Sequence, residues 1–591
     1  MNDRRSRRYR TGPLLACIFV VLHSAAAFPQ SGAPNVVLVI TDDQGYGDFG
    51  ATGNAIIETP NLDAMAQRSA WMKTFYVSPV CSPTRANLLT GRYNYRTRCI
   101  DTFVGRSMMD PAEVTLAEAL RDAGYATGIF GKWHLGDCYP MRAQDQGFEE
   151  SLVLRGGGLA QPADPPENRD RYTDPILFHN GEAQQTKGYC TDVYFDAAMH
   201  FIDRAHQQKR PFFTYIATNA PHGPFHDVPE ALRQHYLSKD LNSLMIGVPE
   251  GRREKEFDTL TRVAAMITNV DENMGRLFVH LDSLGLTDNT LVIFTNDNGP
   301  ATSRYAGPFR GQKSEVYEGG VRSPLWLQWP ARLKAGTSRE EPVAHYDVMP
   351  TILEACGVAP PAGVQLDGRS FLPLLLDPAA AWPERTLFIQ THRGDVPQRY
   401  HQFMARDRQW KLLHASGFGN ESFQGEPRFE LYNLLADPGE RSDLAATHPD
   451  VVARLRSAYD NWFDDVSATR PDNYAPPRIV IGTEHERVTH LTRQDWRNAT
   501  WDKSAAGHWE VEFAEAGNYT FTINCFVNPV AGTIQLDVGN TVQRAALSAN
   551  TANAKFENIP VAAGRTTIQA RIHCEDDDAG AYQVTVERSH E

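Results

Sequence analysis

The chain has 591 residues, of which 41% are hydrophobic and 22% are charged. This length predicts two to four domains, and the composition excludes a disordered, collagenous or polytopic membrane protein. Acidic residues outnumber basic ones by 72 to 58, and the resulting net charge of −14 argues against binding along nucleic acid through the overall field. An anionic substrate would therefore need a local basic pocket.

The first 27 residues have the pattern of a secretory signal peptide. Several arginines precede an apolar run over residues 14–22, and small residues follow it up to Ala27. A membrane anchor is disfavoured because the run is too short to span a bilayer. A lipoprotein signal at Cys17 is disfavoured because the apolar run continues beyond that cysteine. We expect cleavage near Ala27, export to the periplasm or the extracellular space, and no stable membrane anchor.

Four apolar runs beyond residue 34 each end in a cluster of polar residues. They have the length and β-branched content of buried parallel strands, and helix-like stretches between them predict an α/β sheet. The runs cover residues 36–40, 125–130, 212–218 and 291–294, with helix-like stretches such as 115–121 and 257–284. The clusters are Thr41-Asp42-Asp43, Gly131-Lys132-Trp133-His134, Asn219-Ala220-Pro221-His222 and Asn296-Asp297-Asn298-Gly299.

The polar clusters all belong to the carboxyl edge of the predicted sheet, where ligands gather in α/β folds. Each cluster alone also fits a helix cap, a turn or a structural histidine, but four clusters at one edge favour a functional site. Asp42, Asp43, Asp297 and Asn298 offer hard oxygen ligands that suit Ca²⁺ or Mg²⁺. Without a cation, the three carboxylates would repel one another and raise each other's pKa. The pattern therefore predicts a divalent metal site.

A cysteine opens another helix-like segment, which ends at Gly91. Pro83 fits the first helical turn, so Cys81 lies beside the positive end of the helix dipole. Arg85 stands one turn further along on the side that faces Cys81. The pattern also fits a buried structural cysteine ahead of a helix. A thiol protease would leave the acidic cluster unexplained.

The pattern Cys81-x-Pro83-x-Arg85 resembles the signature of type I sulfatases, the arylsulfatase A-like members of the alkaline phosphatase superfamily. The resemblance covers roughly residues 34–465. It implies a large mixed, mostly parallel sheet flanked by helices, and oxidation of Cys81 to Cα-formylglycine (3-oxoalanine) by a maturation enzyme. Further matching motifs are Gly91-Arg92-Tyr93, Gly131-Lys132-Trp133-His134-Leu135-Gly136, Ala220-Pro221-His222, Asn296-Asp297-Asn298-Gly299, Gly311-Gln312-Lys313, Glu318-Gly319-Gly320-Val321-Arg322 and Glu430-Leu431-Tyr432-Asn433-Leu434.

The resemblance also implies the composition of the metal site. One Ca²⁺ would be held by Asp42, Asp43, Asp297 and Asn298, with formylglycine 81 and a sulfate oxygen completing the coordination sphere. Hydrated formylglycine carries two hydroxyls, one of which would attack sulfur and displace the alcohol.

The remaining site residues also take their roles from the resemblance. Arg85 would hold the formylglycine hydroxyls, and Lys132 and Lys313 would bind sulfate and neutralise its charge. His222, assisted by Lys313, would contact the substrate and protonate the departing oxygen. His134 would then take a proton from the second hydroxyl, so that inorganic sulfate leaves and the aldehyde is restored.

The residues that follow the catalytic part predict two further units. A proline-containing linker separates a small α+β subdomain from a segment of short alternating strands, which is typical of a β-sandwich. The expected boundaries are 1–27 for the signal peptide, 34–375 for the catalytic domain, 376–470 for the α+β subdomain, 471–480 for the linker and 481–591 for the all-β sandwich. Residues 481–591 hold 9 basic and 15 acidic residues. This balance favours a domain that braces the enzyme over a module that captures sulfated glycans.

Together these features predict an exported hydrolase that depends on Ca²⁺ and formylglycine and removes sulfate from a sulfated carbohydrate, such as a sulfated polysaccharide. Its expected partners are that substrate and a formylglycine-generating enzyme, and not nucleic acid. Two alternatives stay open. One is a phosphonate or phosphate ester hydrolase of the same superfamily, and the other is a non-catalytic binder of sulfated glycans with an unconverted Cys81.

Overall fold

The computed structural model describes residues 32–469, 475–502, 504–525, 531–574 and 578–589. The expected signal peptide and residues 471–474 of the expected linker lie outside these ranges. Within them, no helix combines the length and the apolar character of a bilayer span.

The catalytic region contains thirteen strands and ten α-helices, several of them only two to four residues long, besides short 3₁₀ turns. The strands are β1 (Asn35–Thr41), β2 (Ala70–Met72), β3 (Phe75–Tyr76), β4 (Ala126–Lys132), β5 (Glu150–Leu154), β6 (Ile176–His179), β7 (Glu182–Gln185), β8 (Phe212–Ala217), β9 (Thr290–Asn296), β10 (Arg322–Ser323), β11 (Leu325–Gln328), β12 (Ser338–Arg339) and β13 (Val343–Ala344). The helices are α1 (Pro60–Arg68), α2 (Cys81–Thr90), α3 (Asn94–Thr97), α4 (Leu116–Asp122), α5 (Cys190–Gln207), α6 (Glu230–Leu237), α7 (Arg253–Ser283), α8 (Glu318–Val321), α9 (Val348–Cys356) and α10 (Leu372–Leu376).

A ten-stranded sheet forms the centre of this region, in the order β12-β2-β11-β9-β1-β8-β4-β5-β6-β7. The middle strands from β9 to β5 run parallel to one another, and antiparallel pairs extend the sheet on both sides. The four apolar runs recognised in the sequence are β1, β4, β8 and β9, which are neighbours in this order. Their polar ends therefore meet at one edge, and the predicted mixed, mostly parallel sheet is confirmed.

Helices cover both faces of the sheet, as the buried strands require. Along β1, Val37 and Val39 pack in a core that includes α5 and α7. Val36 and Leu38 point to the other face and pack in a core that includes α2, α4 and α9. α4 begins directly after Thr115, whose side chain accepts the N–H of the third helical residue in a capping box.

The small subdomain is a four-stranded antiparallel sheet covered by one long helix. Its elements are β14 (Leu387–Gln390), β15 (Phe403–Arg406), β16 (Trp410–His414), β17 (Glu430–Asn433) and α11 (Pro449–Ala468). Tyr459 of α11 packs on Phe403 of β15 with ring centroids 4.1 Å apart. The same apolar core contains Tyr93 and Tyr346 of the catalytic region, so the subdomain is fixed against that region.

Two sheets with one shared core form the C-terminal domain, as expected for a β-sandwich. Its strands are β18 (Ile479–Ile481), β19 (Val488–Thr492), β20 (Trp509–Phe513), β21 (Gly517–Asn524), β22 (Gly532–Val538), β23 (Thr541–Leu547), β24 (Asn553–Val561), β25 (Gly564–Cys574), β26 (Asp578–Gly580) and β27 (Gln583–Arg588). One sheet has the order β18-β20-β25-β22-β23, with β26 beside β25, and the other has the order β19-β27-β21-β24.

The start of the C-terminal domain differs from the expected boundary. β18 begins at Ile479, inside the stretch expected to be a linker up to residue 480, because it pairs in parallel with β20. The domain also shares its apolar core with Val104, Met108 and Met141 of the catalytic region. It is therefore packed against the part of the chain that lies between α3 and β5.

Candidate active site

The oxygen-bearing residues at the edge of the sheet come from two neighbouring strands. β1 and β9 pair in register up to Thr41 and Asn296, so the residues that follow leave the sheet side by side. The backbone N–H of Asp43 donates to Asp297 Oδ1 at 3.2 Å. Asn298 Nδ2 donates to Asp43 Oδ1 at 2.9 Å. The predicted ligands of both strands are therefore in one buried cluster.

Two oxygens of this cluster fit a hard cation. Asp42 Oδ1 and Asn298 Oδ1 are buried and have no hydrogen-bond partner among the residues that the structure describes. Ligand atoms of Asp42, Asp297 and Cys81 all lie within 4.8 Å of one another. Buried oxygens without partners are costly, and an oxygen-rich set of this kind suits Ca²⁺. The side chains present thus fit the predicted ion.

Three cationic side chains neutralise the carboxylates. Lys132, the last residue of β4, places Nζ 2.6 Å from Asp42 Oδ2. Arg85 of α2 donates from Nη2 to Asp297 Oδ2 at 2.8 Å and from Nη1 to the carbonyl oxygen of Lys132 at 2.9 Å. These four side chains have no exposed surface. The third cation is Lys313.

The pKa values of the carboxylates reflect these neighbours. Burial, together with Asp42, raises the pKa of Asp297 to about 6. Burial alone would also raise the pKa of Asp43, but Lys313 and His222 hold it well below its usual range. Asp43 is therefore a fixed negative charge that keeps the amine of Lys313 protonated.

Cys81 occupies the first position of α2, and the whole helix is buried. Val80 precedes it in an extended conformation, and Gly91 ends the helix in the left-handed region with a φ of 67°, where glycine carries no steric cost. Burial raises the pKa of the Cys81 thiol. The neutral thiol is a poor nucleophile, which counts against the thiol protease alternative.

His134 is held through one ring nitrogen. Its Nε2 lies 2.8 Å from the carbonyl oxygen of Thr102, so Nε2 carries the hydrogen. Nδ1 is buried without a hydrogen-bond partner in the described ranges. A Cβ atom added at Gly157 would lie 2.4 Å from His134 Cε1, so only glycine lets that loop approach the ring. Burial and the charge of Lys132 lower the pKa of His134 well below its usual value, which keeps the ring neutral.

His222 lies beside the carboxylate of Asp43. Its Nδ1 lies 2.6 Å from the carbonyl oxygen of Gly223, and its Nε2 lies 3.7 Å from Asp43 Oδ2. Burial lowers the pKa of His222 to about 4, although Asp43 opposes this shift. The ring is therefore neutral at pH 7 in this arrangement.

The structure brings all the predicted site residues to this edge of the sheet. They are Asp42, Asp43, Cys81, Arg85, Lys132, His134, His222, Asp297, Asn298 and Lys313.

Sequence reasoning missed one residue of the site, Gln494 of the C-terminal domain. It is buried, and its Nε2 lies 3.4 Å from His134 Nε2. It lies outside the stretch that carries the family resemblance, and 360 residues separate it from that histidine. The only local signal is a run of polar and aromatic residues, Arg493-Gln494-Asp495-Trp496-Arg497, between two strands.

A cavity of about 620 Å³ lies between the loop around residues 160–170 and the C-terminal domain. Gln161, Arg169, Trp501 and Tyr582 are among the residues that line it. Gln161 Oε1 also accepts the backbone N–H of Gly157 at 3.0 Å. Gly157 in turn lies against His134, so Gln161 links the wall of the cavity to the candidate site.

Comparisons with known proteins agree with this geometry. Residues 34–358 match the family model described as Sulfatase, and residues 311–461 match the C-terminal model of N-sulphoglucosamine sulphohydrolase. N-acetylgalactosamine-6-sulfatase of Mus musculus is 34% identical over 465 residues, which cover 71% of this chain and 83% of the relative. Arylsulfatase A of Homo sapiens is 31% identical over 480 residues, which cover 74% of this chain and 89% of the relative.

Solved structures share the fold. Ps i-CgsB in complex with k-i-k-neocarrahexaose has a TM-score of 0.61 and 26% identity, and the match covers 73% of this chain and 92% of that one. The phosphonate monoester hydrolase of Agrobacterium radiobacter has a TM-score of 0.51 and 21% identity, and the match covers 74% of this chain and 95% of that one. The second likeness concerns the fold alone.

Proposed function

The chain belongs to the sulfatase family and is a sulfuric ester hydrolase, and we propose that it works through a formylglycine made from Cys81 and one Ca²⁺. The observation that carries the proposal is the position of Cys81. Its sulfur lies within 4.8 Å of carboxylate oxygens of Asp42 and Asp297, at the start of a buried helix. A structural cysteine does not need this cluster of carboxylates around it.

When present, formylglycine and Ca²⁺ supply a hydrated aldehyde as nucleophile and a Lewis acid. Asp42, Asp43, Asp297 and Asn298 would hold the cation, together with residue 81. Three positive side chains balance the three carboxylates, so a bound divalent cation makes the centre positive. This local charge attracts an anionic sulfate to a protein whose overall charge is negative.

The cationic side chains bind and orient the sulfate. Arg85 is locked between Asp297 and the backbone of Lys132, so its guanidinium is held rigidly one helical turn from residue 81. Lys132 and Lys313 each pair with a carboxylate and keep their positive charge at the site. Fixed charges of this kind stabilise the transition state without reorganisation.

Two histidines of the site handle protons. His134 is neutral and keeps Nδ1 as an acceptor, so it serves as the base that permits sulfate release. His222 has a low pKa, whereas Asp43 keeps Lys313 protonated. We propose that His222, assisted by the protonated Lys313, delivers the proton that the departing alcohol needs.

We further propose that the substrate is a sulfated carbohydrate. Ps i-CgsB has been solved with k-i-k-neocarrahexaose, and the mouse relative is named for sulfate on an amino sugar. The cavity that Gln161 lines would leave room for a sugar residue next to the one that carries sulfate. Trp501 and Tyr582 offer aromatic surface there, and Arg169 offers positive charge. The C-terminal domain would then both brace the enzyme and border its substrate.

The pattern of the first 27 residues supports export. A formylglycine-generating enzyme would convert Cys81 before or during export. Residues 34–375 would form the catalytic domain and residues 376–470 its subdomain, followed by the β-sandwich. Sequencing the N-terminus of the secreted protein tests the cleavage near Ala27. Recovery of the intact N-terminus from the medium or the periplasm would contradict it.

The proposed function is tested by comparing hydrolysis of 4-nitrophenyl sulfate with that of 4-nitrophenyl phosphate and a 4-nitrophenyl phosphonate. We expect the sulfate to be the preferred substrate and expect Cys81→Ala to abolish its turnover. A clear preference for either phosphorus ester would favour the phosphonate or phosphate ester hydrolase. Binding of a sulfated oligosaccharide without turnover of any ester would favour the non-catalytic binder.

A further inference from the structure

The segment between β19 and β20 extends from the C-terminal domain into the catalytic region. The carbonyl oxygen of Gln494 accepts the backbone N–H of Gly105 at 2.9 Å. Gly105 has a φ of 73°, and a Cβ atom added there would lie 2.7 Å from the side chain of Arg497. Glycine at position 105 therefore permits the close approach of the two chains, in a backbone conformation that favours it.

Gln494 also binds the same loop through its side chain. Nε2 donates to the carbonyl oxygen of Thr102 at 3.0 Å and to Ser107 Oγ at 3.3 Å. Only 1% of Gln494 is exposed. The loop over residues 102–107 is thus held at three points by one residue of another domain, since its backbone also binds Gly105.

The carbonyl oxygen of Thr102 is the group that orients His134. It accepts from His134 Nε2 at 2.8 Å, and its second lone pair accepts from Gln494 Nε2. Nε2 of Gln494 and Nε2 of His134 lie 3.4 Å apart, and both carry hydrogen. The carbonyl oxygen of Thr102 accepts from both and therefore fixes the position of each side chain. This arrangement leaves Nδ1 of His134 as the unprotonated nitrogen.

We propose that Gln494 is a positioning residue for His134, so that the C-terminal domain completes the active site. The inference rests on the proposed function, because it takes His134 as the base. Without the amide of Gln494, the carbonyl oxygen of Thr102 loses one of its two donors and its loop loses the side-chain attachment. The ring of His134 is then no longer held in one orientation with Nδ1 available.

A base that is misplaced by about 1 Å costs up to about 100-fold in rate. We therefore expect Gln494→Met, which keeps the length of the side chain and removes its amide, to lower kcat about 10- to 100-fold. KM for 4-nitrophenyl sulfate should change little, because the cationic groups that bind sulfate are untouched. Gln494→Glu should behave similarly, since an ionised carboxylate has no hydrogen to donate to Thr102. Gln543→Met, on strand β23 of the same domain, is the matched control and should leave kcat unchanged.

The experiment combines kinetics with crystal structures of the variants. The inference predicts a fall in kcat for both Gln494 variants and a His134 ring displaced from the carbonyl oxygen of Thr102 in Gln494→Met. If Gln494→Met does not fold, the kinetics of Gln494→Glu decide, because this substitution preserves the shape of the side chain. A kcat within about twofold of the native value, or a rise in KM alone, would overturn the inference.

His134→Ala separates this inference from the proposed function. If His134→Ala is inactive while the Gln494 variants keep full kcat, only the positioning role fails. If His134→Ala keeps full activity, the proposed role of His134 fails first, and the positioning role fails with it.

Discussion

Lys313 Nζ lies 2.5 Å from Asp43 Oδ1 in an ion pair at the candidate site. The lysine side chain is 19% exposed, whereas that of Asp43 is 3% exposed. The carboxylate is thus inside the protein, and the lysine side chain is partly exposed. An ammonium group held in this way can give a proton to an oxygen that leaves toward solvent.

Lys313→Met should therefore slow hydrolysis most for esters with a basic leaving group. General acid catalysis contributes about 10²–10⁴-fold, and we expect a loss in this range for an alkyl or sugar sulfate. 4-Nitrophenyl sulfate should lose far less, because 4-nitrophenolate leaves without a proton. Lys334→Met, at an exposed position, is the control. An equal loss for both esters would show that Lys313 only binds sulfate.

Removal of Ca²⁺ should lower both activity and thermal stability. A cation would provide partners for the buried oxygens of Asp42 and Asn298 that have none among the described residues, and a ligand at about 100 times its Kd stabilises a fold by about 2.7 kcal/mol. We expect dialysis against EDTA to lower Tm, and added Ca²⁺ to restore Tm and turnover better than Mg²⁺.

Asn298→Ala should weaken this response to Ca²⁺, since it removes one of the proposed oxygen ligands. Asn540→Ala, at an exposed turn, should respond like the native protein. A Tm and an activity that do not change when metal is removed, with metal content checked by elemental analysis, would contradict the metal site.

Trp501→Leu should raise KM for sulfated oligosaccharides and leave KM for 4-nitrophenyl sulfate unchanged. Trp501 lines the cavity beside the site, and loss of an aromatic anchor costs more than about 1 kcal/mol in many binding sites, or about fivefold. Trp382→Leu, between α10 and β14 and not among the residues that line this cavity, is the matched control. The same KM for the oligosaccharide in Trp501→Leu and the native enzyme would show that the cavity does not bind the substrate.

We expect two buried carboxyl groups to make the contact between the C-terminal domain and the catalytic region sensitive to pH. Burial raises the pKa of Asp137 to about 6, and burial together with Asp137 raises the pKa of Asp495 well above its usual value. Asp495 Oδ1 has no hydrogen-bond partner in the part of the chain that the structure describes. A group whose pKa is higher in the folded state contributes its stability below the unfolded pKa, and this contribution is lost as pH rises through the folded pKa.

Asp495→Asn should therefore raise Tm at pH 8, and the gain should disappear toward pH 4. The asparagine cannot ionise, so it avoids the cost of a buried charge beside Asp137. Thermal melts of the native protein, Asp495→Asn and the exposed control Asp288→Asn across this pH range test the prediction. A gain in Tm that stays constant with pH would mean that ionisation of Asp495 is not its cause.

Much of the site could be predicted because its chemistry lies in short stretches. The strands that end at Asp42 and at Asp297 are apolar runs with an abrupt polar stop, and the parallel sheet forces such stops to one edge. Cys81 and Arg85 are one helical turn apart, so their proximity follows from helix geometry. For this reason the fold class and the set of converging residues were accessible without a structure.

Other features depend on contacts between distant segments. Strands β23 and β24 of the sandwich contain many polar residues at exposed positions. The alternation of apolar and polar residues that would predict a strand is therefore weak in both. Gln494 reaches His134 only because the C-terminal domain packs on the loop after α3, and no local pattern encodes that docking. The low pKa of His222 likewise results from burial, which depends on the packing of distant segments.

The proposed nucleophile is tested by the mass of the peptide that contains residue 81, measured in active protein from a host that matures sulfatases. Conversion of the thiol to an aldehyde lowers this mass by about 18 Da. If formylglycine 81 is the nucleophile, the converted fraction rises and falls with the rate of sulfate release across preparations. Full activity in protein that carries only the unmodified Cys81 thiol would contradict this role.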